Sequence, residues 1–331
     1  MIILITVLIL LVVLVNGWTD APNAIAGCVS TRATSPTSAI ILAAVCNFSG
    51  AVGMFLISPR VAATLYNIVD LGDDSKASLC AIAAGLCAVI LFATAAFFFG
   101  LPTSESHAMI SGISGAAIAK CGGFSALNSR EWSLVLGGLF ATTLPPFILG
   151  YIFYKAICLL LKNAERRKTM LYFSRAQKIS AALSAILHGA QDSQKFIGIY
   201  LLALSLLGID ISNGNIPLIL ILICASVMTL GTTLGGAKII KKVGCDMTDL
   251  DAAGGSASDA ASSVALLVCS LVGIPASTTH SKTCAIMGAG FCKRGGVDLR
   301  IVSQMLLAWG VTFPVCGALG YIFYILMSAL F

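Results

Sequence analysis

The chain has 331 residues, a net charge of +6, 58% apolar residues and only 10% charged ones. So little charge and so much apolar sequence exclude an ordinary soluble domain and predict an all-α integral membrane protein. The positive surplus does not read as a nucleic-acid surface, because six of the twenty basic residues fall in one stretch, 162–178, as in a cytoplasmic loop of a membrane protein.

In chain order, residues 1–15 are almost wholly apolar and no Lys or Arg precedes them. A cleavable signal peptide needs a basic start, so this segment is expected to remain as a membrane helix. Apolar segments are predicted at 1–26, 36–57, 78–101, 103–119 and 132–161, then at 179–207, 216–237, 254–273, 276–292 and 301–330. Most approach the roughly 20 residues that cross a bilayer, but the fourth and ninth are short. The twelve cysteines contain no Cys-x-x-Cys and lie mostly in apolar runs, so they are expected to be reduced packing residues.

The second five segments repeat the first. Leu101-Pro-Thr-Ser-Glu-Ser-His107 returns as Ile274-Pro-Ala-Ser-Thr-Thr-His280, and at the same offset Gly115 falls on Gly288 and Lys120 on Lys293. Gly17-x-x-Asp20 returns as Gly189-x-x-Asp192, and Gly150-Tyr-Ile-Phe-Tyr154 as Gly320-Tyr-Ile-Phe-Tyr324. The expected organisation is a first transmembrane repeat over 1–161, a basic cytoplasmic linker over 162–178 and a second repeat over 179–331. Five crossings per repeat invert the second copy, and broken or re-entrant helices are expected at the repeat interface. With both termini outside, thirteen basic residues fall in inside loops and four in outside loops. If the short segments are re-entrant instead, the N-terminus lies inside and the split is eleven against six.

Two kinds of polar motif interrupt the apolar sequence. In Asn16-Gly-Trp-Thr-Asp-Ala-Pro-Asn23, Gly17 and Pro22 are expected to break a helix and free backbone carbonyls, which the membrane tolerates only at a cavity or a bound ion. Asp20 costs roughly 2.5–3.5 kcal/mol at a helix centre, and a bound cation would offset that. Thr19, Asp20 and Asn23 offer the oxygens a Na⁺ ion prefers; the bland alternative is an interfacial helix cap. The second copy places Asp192 at the matching position among Gln191, Ser193 and Gln194, followed by Lys195, which could snorkel, pair with Asp192 or Glu105, or touch an anion.

The other motif is the hydroxyl run after a proline, a helix-start signature. A helix N-terminus presents free N–H groups and partial positive charge, so it favours an anion. Thr103, Ser104, Ser106, Ser277, Thr278 and Thr279 are the candidate anion ligands, with Gln191; ordinary N-caps are the plainer reading. Gly112, Gly115, Gly288 and Gly290 suggest close helix packing behind them. All three histidines, His107, His188 and His280, lie in these motifs and are candidates, with Glu105 and Lys195, for orienting or proton-carrying roles rather than for a metal site. Asp70, Asp73, Asp74 and the Asp246–Asp251 group read as solvated turns, and Asp259 as a weaker ion ligand.

These residues resemble the inorganic phosphate transporter (PiT) family, of the compact bacterial type. Its repeated Gly-x-Asn-Asp-x-x-Asn-Ala element is similar to Gly17-Trp-Thr-Asp-Ala-Pro-Asn-Ala24, and its His-Gly-Ala-Asn-Asp-x-Gln-Lys run to His188 through Lys195. Gly231-Thr-Thr-Leu-Gly-Gly236 and Ser277 through Gly288 are also similar. The resemblance implies cation-coupled symport of inorganic phosphate at the plasma membrane, with Na⁺ or H⁺ as coupling ion, no cofactor, no enzymatic activity and a homodimer. It puts the cation on Asp20, Asn23 and Asp192 and the anion near the two Ser/Thr clusters. Thr19 and Gln191 depart from the family's usual Asn, and Lys282 could add a positive charge near the anion. The rival readings are a sulfate:cation symporter on the same scaffold, an anion channel and an intramembrane hydrolase. The last lacks both His-Glu-x-x-His and Gly-x-Ser-x-Gly.

Overall fold

The computed structural model describes residues 1–209, 218–234, 236–293 and 296–330. The expected start of the seventh segment at 216–217, together with Gly235, Arg294 and Gly295, lies outside them. Helix α1 (Ile2–Thr19) is followed directly by α2 (Ala21–Ser30), then α3 (Pro36–Ile57), the short α4 (Arg60–Tyr66) and α5 (Ser75–Phe98). Next come α6 (Glu105–Cys121), α7 (Ser129–Ala141) and α8 (Leu144–Leu160). The second half contains α9 (Arg166–Ser205), α10 (Leu218–Thr233), α11 (Ala237–Lys241) running into a π-helical turn at Lys242–Asp246, α12 (Ala252–Val272), α13 (Thr278–Cys292) and α14 (Leu299–Ser328).

Local chemistry sets many of the boundaries. Ser35, Asp74, Asn128, Asp251 and Asp298 each accept a backbone N–H in the first turn of the helix they precede. Gly122 and Gly273 close α6 and α12 in the left-handed conformation. Among the described residues, six helical segments are long and apolar enough to cross a membrane, and the bent pair of α10 with α11 would make a seventh. The sequence left open whether the fourth and ninth segments cross or re-enter. α6 and α13 have 17 and 15 residues, about 25 and 22 Å at 1.5 Å per residue, short of a hydrocarbon core of about 30 Å, in keeping with re-entry. Much of the expected linker is helical as well, because α9 starts at Arg166 and runs unbroken for 40 residues.

The halves interlock. α3 packs along α9, α1 along α10, α6 along α14 and α8 along α13, and each of these pairs joins one half to the other. Within each half, α5 with α6 and α12 with α13 form helical hairpins, whose tips carry the hydroxyl runs. The pairs across the halves are close enough to exclude a side chain. A Cβ on Gly115 would lie 2.0 Å from Gly317 O, and one on its repeat mate Gly288 would lie 1.9 Å from Phe147 O. Small residues let backbones approach where no hydrophobic force drives helices together in lipid. Gly115→Ala and Gly288→Ala are therefore expected to lower stability by about 1–3 kcal/mol each through overpacking. Gly137→Ala, with nothing within 4 Å, should not. Thermal unfolding of the purified protein in detergent measures all three.

Candidate functional site

The polar motifs converge on one buried cluster. The helical run is interrupted at Asp20, between the last residue of α1 and the first of α2, and Pro22 at the start of α2 has no N–H to continue the helical ladder. Gly17 plays a different part from the one expected. It is helical, and its missing side chain lets α10 approach, since a Cβ there would lie 2.2 Å from Met228 O. Asp20 is 3% exposed, and its Oδ1 accepts the Thr279 hydroxyl at 2.7 Å. Asn23 Nδ2 donates to the same Thr279 oxygen at 2.9 Å. The first-copy candidates thus reach across to the second-copy hydroxyl run.

The second copy has no break. α9 passes straight through Asp192, because Gln194 stands where the first copy has Pro22. Asp192 lies fully buried among four partners: Lys195 Nζ at 2.6 Å, Asn16 Nδ2 at 3.1 Å, the Thr278 hydroxyl at 3.3 Å and His188 Nε2 at 3.3 Å. The sequence left three roles open for Lys195. In the structure it pairs with Asp192 and also donates to Ser106 Oγ and Ala276 O, one from each hairpin tip. Gln191 holds the second tip by its backbone, accepting the Ala276 N–H at 3.3 Å and donating to Ile274 O at 3.3 Å.

Within the hydroxyl runs the members divide. Ser104 and Ser277 are N-caps, accepting the N–H groups of His107 at 3.3 Å and His280 at 3.2 Å. This uses an acceptor and leaves the hydroxyl hydrogen free to donate. Thr103 is buried at the first tip. Ser106, Thr278 and Thr279 are bonded to Lys195, Asp192 and Asp20. Glu105, 1% exposed, contacts the Thr19 hydroxyl. The cluster therefore holds three carboxylates against one ammonium. Asn16 Oδ1, Asn23 Oδ1 and Glu105 Oε2 have no protein donor. Buried acceptors without donors beside excess negative charge are what a cation satisfies.

The histidines do not converge on a point. His107 and His280 meet edge to face with ring centroids 4.7 Å apart, while His188 sits against Asp192. Two residues that the sequence reading missed complete this layer: Phe313 stacks on His107 at 4.9 Å and Trp309 lies on His280 at 3.9 Å. Their signal was their spacing, four apart on one face of α14 beside Pro314. Asn16 was missed too, although it stands in an otherwise apolar run and reaches Asp192. Lys282 does not face the hydroxyl runs: it pairs with Asp259 and donates to Ala24 O at 3.3 Å, so this lysine and that weaker ion candidate neutralise each other elsewhere. Asp74 and Asp251 are helix caps, in keeping with turns.

Removing one partner of a buried pair strands the other charge, at a cost of about 3–5 kcal/mol. Lys195→Met should therefore destabilise strongly, and adding Asp192→Asn should recover much of the loss. A double-mutant cycle of thermal unfolding in detergent checks the coupling.

The phosphate transporter family matches the chain twice, over residues 16–172 and 161–320. A Bacillus subtilis protein named "Probable low-affinity inorganic phosphate transporter" is 36% identical over 96% of this chain and 94% of its own length. A Rhizobium meliloti protein of the same name is 31% identical over 93% of this chain and 91% of its own length. A solved structure described as "The sodium-dependent phosphate transporter" superposes with a TM-score of 0.82 at 21% identity, covering 100% of this chain and 99% of that one, which establishes the shared fold. The chain is a multi-pass membrane protein and belongs to the phosphate transporter family.

Proposed function

We propose that this chain carries inorganic phosphate across the plasma membrane by symport with a cation, Na⁺ or H⁺. One observation carries the reading: the two hairpin tips, each a helix start with free hydroxyl hydrogens, lie in the same closed cluster as carboxylates that lack a counter-charge. Thr103, Ser104, Ser106, Ser277, Thr278 and Thr279 supply donors for a tetrahedral oxyanion from two sides. Gln191 holds the second tip in place. Thr19, Asp20 and Asn23 supply the oxygens for a coupling cation, and Asp192 contributes charge beside them. The relatives' names support phosphate as the anion, and the description of the solved neighbour supports Na⁺ among the coupling ions.

The physics favours coupling. A divalent anion entering a negative interior costs about 2.3 kcal/mol per charge per 100 mV, and two co-transported cations cancel that. In this reading the cations neutralise the cluster first, the anion then docks at the hairpin tips, and one bundle rocks against the other to change the open side. The burial of Asp20, Gln191, Asp192 and Lys195 supports a closed state between two open ones. Both termini face outside, supported by the charge bias: each hairpin returns to the side from which it starts, so the loops keep the division of thirteen basic residues against four. Two copies pair as a homodimer, supported by the family resemblance.

Asp20→Asn should abolish Na⁺-dependent uptake of labelled phosphate into proteoliposomes while the protein still reconstitutes normally; unchanged uptake would refute the role of Asp20. Excess sulfate should compete weakly. Strong competition would favour the sulfate symporter, and phosphate current without any coupling ion would favour a channel.

A further inference from the structure

Outside the Asp20–Asp192 cluster the described residues hold another buried ion pair, Asp259 with Lys282. It lies between the cluster and the membrane face that carries the basic segment 162–178, and it does not stand alone. Lys282 Nζ also donates to Ala24 O at 3.3 Å, and Asp259 Oδ2 accepts the Ser180 hydroxyl at 3.0 Å. Further out, Gln177 Oε1 accepts the Thr31 hydroxyl at 2.6 Å, while Gln177 Nε2 is buried with no acceptor. Lys282 has three hydrogens and uses two of them on Asp259 and Ala24. Gly27 leaves room here, since a Cβ on it would lie 3.5 Å from both Asp259 Oδ1 and Gln177 Nε2.

Spacing ties these groups into a line, because residues three or four apart share a helix face. From Asp20 along α2 the series is Asn23, Gly27 and Thr31. Back from Asp192 along α9 it is His188, Ser184, Ser180 and Gln177. On α13, Lys282 follows Thr279 on the same face. A polar stripe therefore runs from the cluster to the half-buried Thr31 and Ser180.

The other repeat does without it. At the offsets of the repeated motifs Gln177, Ser180 and Ser184 match Ile5, Leu8 and Val12, Asp259 matches Leu86, and Lys282 matches Met109. On the α2 side Ala24, Gly27 and Thr31 match Phe196, Ile199 and Ala203. All of these mates belong to a single buried apolar cluster. In an inverted pair of repeats the matching place faces the other side of the membrane. The two ways out of the site are thus sealed by different chemistry. One is packed with apolar side chains; the other is closed by an ion pair and hydroxyls, which cost more to bury. Charged and polar side chains inside a membrane bundle mark the paths of ions and substrates.

We propose that this stripe is the inward path of the transported ions, and that Lys282 is a second binding position for the phosphate dianion, occupied after the hairpin tips when Asp259 releases the ammonium. The proposal rests on the transport reading and names the side to which that site discharges. In the closed arrangement the opposite charges shut the path, and the bond from Lys282 to Ala24 O ties α13 to α2 across it. When the path opens, the ammonium exchanges a carboxylate for the phosphate, and the cation that travels with the phosphate meets the freed Asp259. Both buried charges stay compensated throughout. Gln177 Nε2 and the unused Lys282 hydrogen are donors for the phosphate oxygens.

The test measures initial rates of Na⁺-driven uptake of labelled phosphate by the full chain in proteoliposomes, for wild type and for Asp259→Leu/Lys282→Met. The double variant installs the residues that the first repeat carries at these places. Apolar replacement of a buried ion pair is often neutral or stabilising, so thermal unfolding in detergent should occur at or above the wild-type temperature. The maximal rate should nevertheless fall by about tenfold or more, because an apolar constriction dries, while the half-saturating phosphate concentration does not rise. A folded double variant with the wild-type maximal rate overturns the path and leaves the pair a purely structural role. Thiol labelling gives an independent reading that does not need the double variant to fold. Ser184→Cys lies on the stripe and Val12→Cys on its apolar counterpart. In right-side-out and inside-out membrane vesicles, a membrane-impermeant thiol reagent should reach Ser184→Cys from the side of the basic segment, and faster with phosphate and Na⁺ present, as peptide mass mapping reads. Labelling of Ser184→Cys from the opposite side, or from neither, overturns the path. Wild-type protein that accumulates no phosphate under a Na⁺ gradient overturns the transport reading, and the path with it. Normal phosphate accumulation with either overturning result above sinks the path alone.

Discussion

Ionisable groups that water cannot reach govern this molecule. Asp20, Glu105 and Asp192 lie in its interior, and a buried charge costs several kcal/mol unless something of opposite sign meets it. The architecture brings partners to these three residues. The interruption between α1 and α2 leaves Asp20 beside Thr279, which Asn23 also contacts, and the two hairpins carry their hydroxyl tips to the same place. The close crossings at Gly115 and Gly288 set the distance between the halves, and so the distance between the tips. A helix pair held apart by one methyl group would move a tip by more than a hydrogen bond tolerates.

The duplication made much of this legible. Two aspartates at matching offsets, each with a downstream Pro and hydroxyl run, predicted that these motifs meet, and the structure does bring Asp20, Asn23, Asp192, Ser106, Thr278 and Thr279 together. The count of crossings was not legible, because an apolar segment of 15 residues looks alike in sequence whether it spans or stops inside. The straight path of α9 was hidden for a related reason. The motif around Asp192 resembles its mate in polarity, but it has Gln194 where the interrupted copy has Pro22. Lys195 could not be assigned because its partners lie far away in sequence, at Ser106 and Ala276. The same holds for Lys282, next to the histidine in sequence yet turned toward Asp259 on another helix.

The two halves of the site are related by sequence but differ in charge. One pairs Asp192 with Lys195 and Thr278; the other sets Asp20 beside Asn23 and Glu105. At the repeat offset Lys195 matches Asn23, and Glu105 matches Thr278, so each copy has exchanged one neutral group for an ion, in opposite senses. Two identical half-sites would each demand a mobile cation and could be loaded in either order. The lysine removes that demand from one of them, because a tethered ammonium cannot leave with the cargo. In the proposed reading the demand of the other half is met by ions that come and go, and a half-site that is stable only when loaded is one that ties its conformation to its occupancy. Coupling in this reading follows from where compensation is missing, and the fold supplies that absence on one side of a site it otherwise built twice.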